Sequence, residues 1–265
     1  MAMLDESALK TMRPVVLTPA YGGNVSIGFT KSLVALTNAA WRAETLFSIR
    51  VEVGSSLVTR ARNEMLVDFL LDPTLTHVIW IYADISCDPG DVMRLLRLDL
   101  DVVAGAYPIK NFMWPVQVPP GTTKIERADF ERLGTRFPVN SGAGLSGIPD
   151  DNGVMEVAEA PTGFMVIKRS VFEALMQHYP QLRYVPDGFW SPQRAALCYR
   201  FFDVMVDEST QRYLSEDYAF CHRWRAIGGK VFVDTTVQLG HTGNYEFRGK
   251  FADALSRPYA IGGRE

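Results

Sequence analysis

The sequence predicts an α/β fold: a doubly wound, mostly parallel central sheet flanked by helices, with a smaller subregion beside it. Three observations carry this. Strand and helix signals alternate through the first half of the chain. VIWIY at 78–82 is a nearly all-apolar run, as in a strand covered on both faces. The second half changes character, and residues 111–153 are rich in Gly, Pro and polar residues without clear periodicity.

The elements follow in order. Pro14 introduces a short apolar strand at 15–17 that runs into the loop TPAYGGN. A helix is expected over about 27–40, then a strand over TLFSIRVEV at 45–53. Ser55 or Ser56 is expected to cap a helix reaching about Leu71. After the 78–82 strand, Asp88-Pro89 reads as an N-cap and first turn. A strand over 102–107 is stopped by Pro108. Further on, 164–167 reads as a strand, and Ser170 as the cap of a helix to about His178. Residues 179–200 read as a long loop or hairpin, and Ser215 as the cap of a helix over about 216–227 closed by Gly228-Gly229. A strand at 231–233 follows. No linker or repeat divides the 265 residues, so one domain is expected.

Composition narrows the function classes. With 47% hydrophobic and 22% charged residues and a net charge of -3, the chain reads as an ordinary globular enzyme rather than a nucleic-acid binder. Three scattered cysteines, Cys87, Cys198 and Cys221, offer neither a disulfide framework nor a zinc site. The N-terminus lacks a signal-peptide core, and no apolar run approaches the ~18 residues of a membrane span. The expectation is a cytoplasmic protein with no transmembrane segment.

Four places could carry chemistry. Asp84 stands just past the most buried strand, where open α/β sheets bind ligands and where a carboxylate can hold a hard cation. It could equally begin the turn toward the next helix. In SSLVTRARNEMLVDFLL, Leu57, Val58, Ala61, Met65, Leu66 and Phe69 share an apolar arc that also contains Arg62. A guanidinium facing the core needs an anion, either a structural carboxylate or a ligand phosphate. Arg60 and Asn63 are uninformative by position. Glu216 and Asp217 occupy a first helical turn, where the macrodipole favours acids and keeps them ionised; either could accept a proton from an acceptor hydroxyl. His241 is expected in a turn after the strand at 237–240, as a surface residue or a metal ligand. His77, His178 and His222 have no companions and receive no role.

Together these segments resemble the GT-A glycosyltransferases. IYADISCDPGDVMRLL looks like their strand, DxD turn and helix; DVVAGAYPIK resembles the strand that follows; PTGFMVIKRSVFEAL is similar to the stretch before the acceptor site. SEDYAFCHRWRAIGGKVFVDTTVQLGHTG looks like the ED helix, a strand and the late metal-binding histidine, and TRARNE is similar to the helix of mannan-polymerase-like relatives. The resemblance covers roughly residues 13–248, and the order of motifs is more specific than any one of them. It divides a single GT-A type domain, 1–265, into a nucleotide-binding half (13–110), an acceptor-binding half (111–248) and a C-terminal tail (249–265).

The resemblance implies roles for individual residues. Thr18, Pro19 and Tyr21 would line the pocket for base and ribose. Arg62 would approach the donor diphosphate or brace Asp84. Asp84, last in the DxD, would ligate Mn2+ or Mg2+, with His241 completing the protein ligands. Gly163 would let the acceptor lie close to the backbone, and Asp217 with Glu216 would contact it and act as base. Apart from the resemblance, the aromatic-rich loop at 179–202 with Trp190, and the segment with Tyr245, Phe247 and Arg248, are candidates for acceptor recognition or a closing lid. The implied partners are a nucleoside-diphosphate sugar donor and a sugar, glycan or other hydroxyl acceptor. One departure is clear: the first DxD position is Tyr82, so the motif reads YAD. Metal binding is therefore expected to be weaker or partly supplied by the diphosphate, and metal independence stays open. Two other readings remain: a silent GT-A module that binds nucleotide or glycan, and a sugar nucleotidyltransferase. The second is disfavoured because TPAYGGN lacks a Lys or Arg.

Overall fold

The structure, a computed structural model, describes residues 3–113, 124, 126, 130–131 and 134–256. In chain order the elements are β1 (Pro14–Ala20), α1 (Ile27–Arg42), β2 (Ser48–Val53), α2 (Val58–Leu71), β3 (His77–Ile81), β4 (Ile85–Ser86), α3 (Pro89–Arg97) and β5 (Val102–Gly105). There follow β6 (Val154–Val157), β7 (Phe164–Lys168), α4 (Arg169–His178), the short α5 (Pro192–Ala195), β8 (Met205–Val206), β9 (Tyr213–Leu214) and α6 (Glu216–Ala226). β10 (Val231–Asp234), β11 (Gln238–Thr242), β12 (Glu246–Lys250) and α7 (Phe251–Leu255) close the described chain. Much of the tail expected over 249–265 lies outside the described residues, as does most of 114–133.

Seven strands form the central sheet in the order β2-β1-β3-β7-β5-β10-β6. β2, β1, β3, β5 and β10 run one way, and β7 and β6 run against them. The sheet is thus mostly parallel and flanked by helices, an arrangement consistent with a Rossmann-like fold. Alternation explains the apolar runs. Val78 and Trp80 of β3 enter the core that also holds Phe69 of α2, Phe172 of α4 and Phe220 of α6. Ile79 and Ile81 enter the opposite core with Phe29 and Leu36 of α1 and Leu95 of α3. With both faces covered, no position of β3 can be polar without a partner, and all five residues are buried.

Several local expectations are corrected. α2 starts one residue past Leu57, which has no side chain to cap it, so neither Ser55 nor Ser56 is the N-cap. Leu57 and Val58 are exposed, while Asn63 joins Ala61, Arg62, Met65, Leu66 and Phe69 in the buried arc. α4 begins at Arg169 after Lys168, leaving Ser170 inside the helix rather than at its cap. Asp88 does cap α3, accepting from the Gly90 amide at 2.7 Å. β6, which was not expected, pairs antiparallel with β10 at the sheet edge. A second small sheet, β12-β11-β4, sits beside the turn after β3. His241 therefore lies within a strand, paired with Ile85 and Phe247, and not in a turn.

His77 is no bystander for stability. Burial, then the nearby Lys168 charge, pushes its pKa down from 6.5 to about 4, although Asp99 opposes this. The folded protein keeps the ring neutral while the unfolded chain protonates it. Its contribution is therefore complete above pH 6.5 and is lost as pH falls toward 4, up to about 3 kcal/mol. Denaturant titrations of wild type and His77→Asn at pH 7 and pH 4.5 should show wild type losing more stability on acidification. Equal losses in the two proteins would exclude this role.

Candidate active site

The carboxyl ends of β1 and β3 open into a cleft of about 640 Å³. Its walls come from separate stretches: Pro19 at the end of β1 and Tyr21 just past it, Tyr82 and Asp84 after β3, Glu216 at the start of α6, and Ser55 and Ser56 before α2. This is where a doubly wound sheet places a ligand. The amino end of α2 carries no side-chain cap, so its first amides face this region unpaired by any capping side chain.

Thr18 lies behind the wall. It is fully buried, and its hydroxyl donates to the Ile81 carbonyl at 2.8 Å, tying β1 to the end of β3. Arg62 is also fully buried and does not line the cleft. Its Nη2 donates to the Tyr82 hydroxyl, and its Nε lies 3.6 Å from the Glu216 carboxylate. The guanidinium carbon sits 4.8 Å, 4.9 Å and 5.3 Å from the ring centres of Trp80, Tyr82 and Phe202. The anion demanded by the apolar arc is thus Glu216. Arg62 braces Tyr82 and Glu216 and lies outside the cleft lining. Tyr82 spends its hydroxyl on Arg62, and burial pushes its pKa up.

The two acids at the head of α6 differ. Glu216 lines the cleft, and burial pushes its carboxyl above the ordinary value, with Arg62 opposing and Asp217 adding. Desolvation, rather than the helix dipole, sets the direction of this shift. Asp217 is not part of the cleft wall. Its carboxylate accepts from the Ser215 hydroxyl and from the Tyr218 amide at 2.9 Å. Of the pair, Glu216 is the one presented to a ligand.

Asp84 meets two nitrogens at one oxygen. Lys110 Nζ lies 2.5 Å from Oδ2, and His241 Nε2 lies 3.5 Å from the same atom. Nδ1 of His241 is 2.9 Å from the Pro108 carbonyl oxygen, which fixes a proton on Nδ1 and turns Nε2 toward Asp84. Burial raises the Asp84 carboxyl, but His241 and Lys110 outweigh it and hold the pKa below the ordinary aspartate value. A divalent ion was expected here. Mg2+ is often held by one or two carboxylates plus substrate phosphates, so ligand number alone does not decide. The ammonium does: it occupies the cation position on the only carboxylate of the pair. No group of three or more His, Cys, Asp or Glu that could hold a metal occurs among the described residues. As arranged, Asp84 and His241 do not fit Mn2+ or Mg2+.

Two expected acceptor residues sit elsewhere. The space beside Gly163 is filled, because a Cβ there would lie 2.5 Å from the Tyr107 ring and 2.7 Å from the Tyr82 ring. The glycine admits these rings, so its bare side is not open to an acceptor. Trp190 is outside the cleft wall, donating to the Asp187 carbonyl and stacked under Arg194, which pairs with Asp68 of α2. Tyr245, in the turn before β12, and Phe247 of β12 pack on Phe112 with centroids 5.6 Å and 4.8 Å apart, close in sequence to Lys110. Arg248 pairs with Glu246.

Sequence reasoning missed Lys110, Tyr107 and Asn63. Tyr107 packs edge-on to His241 at 4.9 Å and sets its ring plane. Asn63 donates to the Phe202 carbonyl at 2.8 Å and accepts from the Phe202 amide at 2.9 Å, clamping that loop to α2 beneath Arg62. The signal for Lys110 was present in YPIK, a lone cation just past a strand's carboxyl end.

No model of a known protein family matches the chain, and no curated protein is significantly similar to it. Among solved structures, A197 from STIV is 14% identical with a TM-score of 0.45, over 88% of this chain and 86% of that one. A glycosyltransferase involved in the glycosylation of the major capsid of PBCV-1 is 13% identical with a TM-score of 0.29, over 83% of this chain and 91% of that one. These likenesses are too loose to assign a role to any residue here.

Proposed function

We propose that the protein is a glycosyltransferase that moves a sugar from a nucleoside-diphosphate sugar to a hydroxyl acceptor. The observation that carries this reading is the convergence of Pro19 and Tyr21, Tyr82 and Asp84, and Glu216 on one cleft. Among them, the resemblance assigns Pro19 and Tyr21 to base and ribose, Asp84 to the ion beside the diphosphate, and Glu216 to the acceptor. The base and ribose lie against Pro19 and Tyr21. The acceptor hydroxyl approaches Glu216, whose raised pKa makes it a better proton acceptor than an exposed glutamate. As the new oxygen–carbon bond forms, that proton passes to Glu216, the bond from the sugar to the diphosphate breaks, and the diphosphate leaves with the bonding electrons. Charge growing on the leaving group is the main demand on the enzyme. No step here runs through a metal ion.

The test is a thermal-shift screen with UDP-, GDP-, CMP- and dTDP-sugars, followed by donor hydrolysis with the one that binds. A ligand at 100 times its dissociation constant adds ~2.7 kcal/mol, a rise in Tm of roughly 5–10 °C for a chain of this size. One nucleotide class is expected to shift and to be slowly hydrolysed. Binding without hydrolysis or transfer would point to a silent recognition module instead, and no shift with any of them would remove the donor reading.

A further inference from the structure

The cleft has an unbalanced wall. Glu52, Asp84 and Glu216 line it, and among the described residues no Lys or Arg does. A diphosphate, itself anionic, cannot settle among three carboxylates without positive charge close by. Arg62 is excluded as the source because it is fully buried and committed to Tyr82 and Glu216. Lys110 stands just behind that lining, with its ammonium held on Asp84, which is part of it.

Lys110 is placed there by structure on every side. It follows β5, which runs parallel to β3 with β7 between them, so it emerges at the same carboxyl edge as Asp84. The preceding backbone is pinned: the Pro108 carbonyl meets His241 Nδ1 at 2.9 Å, and the Ile109 amide donates to the Arg136 carbonyl at 2.8 Å. The lysine stem then crosses Gly243, where a Cβ would come within 3.2 Å of Lys110 Cδ. Glycine at 243 leaves the lane the stem uses. The side chains of Lys110 and Asp84 remain 37% and 34% exposed, so the ion pair is open to an incoming anion.

We propose that Lys110 is the cation that binds the donor's diphosphate and stabilises it as it leaves, so that this protein binds its nucleotide without a divalent metal. The inference rests on the donor reading above and adds the source of charge. Asp84 then acts as a positioning residue that presents the ammonium. An ammonium keeps three donors available, of which Asp84 engages one, leaving two for phosphate oxygens.

Isothermal titration of UDP, GDP, ADP and dTDP into wild type, Lys110→Met and Lys110→Arg, in EDTA and in Mn2+, tests this. For the nucleotide that binds, wild-type affinity in EDTA is expected within about threefold of that in Mn2+. Lys110→Met should lose at least about tenfold in EDTA, as for a lost charge-assisted contact to phosphate, and Lys110→Arg should recover most of it. Melting curves establish that the variants are folded. Wild-type binding that requires Mn2+, or Lys110→Met binding as tightly as wild type in EDTA, would overturn the role of Lys110 while leaving the donor reading intact. No binding by any nucleotide in either condition would instead remove the donor reading, and the inference with it.

Discussion

Transfer by the Glu216→Gln protein is expected to fall by about 10²–10⁴-fold, the usual contribution of a positioned general base. Three features single out this side chain. It reaches the cleft, whereas Asp217 is turned onto Ser215 and the Tyr218 amide. Its pKa is raised by burial, which strengthens it as a proton acceptor. Its partner Arg62 has no contact with the cleft and holds the carboxylate from behind at 3.6 Å. Gln keeps the shape and an oxygen facing Arg62, so nucleotide binding should change little. Asp217→Asn should cost less, because that carboxylate is occupied within its own helix turn. Wild-type turnover at saturating donor should rise with pH through the Glu216 titration, above the ordinary glutamate value, and the Gln variant should lose that step. Initial rates over a pH series measure both. A Gln variant retaining a tenth or more of wild-type turnover would sink Glu216 as the base.

Arg62→Ala is expected to destabilise the fold by about 3–5 kcal/mol, a drop in Tm of roughly 6–20 °C. The guanidinium sits among Trp80, Tyr82 and Phe202, and its removal leaves a cavity between those rings. Tyr82 loses the donor to its hydroxyl, and Glu216 loses its countercharge. Opposing this is the cost the native state already bears: Nε and Nη1 of Arg62 are buried without a hydrogen bond. That offset decides the comparison with Arg62→Met, which restores most of the volume and removes the buried charge, and which should therefore cost less than half as much. Denaturant titrations of both variants give the two values. If Ala and Met cost the same, packing is not the larger part, and the charge itself holds the site.

The Arg62 prediction shows what a sequence can disclose. Period 3.6 alone placed a guanidinium inside an apolar arc, and burial of that residue followed because helical geometry is local. Its anion was not legible, since Glu216 arrives from a helix far along the chain. Asn63 was passed over for the same reason: both its hydrogen bonds go to Phe202, 139 residues away. The apolar run of β3 disclosed a strand covered on two faces. Strand direction is not written in composition, so nothing in FMVIK announced that β7 would run antiparallel between β3 and β5. His241 was misplaced because Gly240 and Gly243 on either side of it read as a turn, although β11 runs on through Thr242. Lys110 acquires meaning only when Asp84, 26 residues away, folds beneath it.

The insertion of β7 also bears on how the chain comes off the ribosome. β5 has two neighbours in the sheet, β7 and β10, and both are made after residue 160. While the first 110 residues emerge, β1, β2 and β3 can pair among themselves, but β5 has nothing to bond to and β3 keeps an open edge. A nascent chain halted there would carry exposed, apolar, unpaired strands, so this half is a poor candidate for expression on its own. The same delay means that Lys110 and Asp84 are brought together late, after β7 has zipped β3 to β5, and that this edge of the sheet is among the last parts of the protein to form.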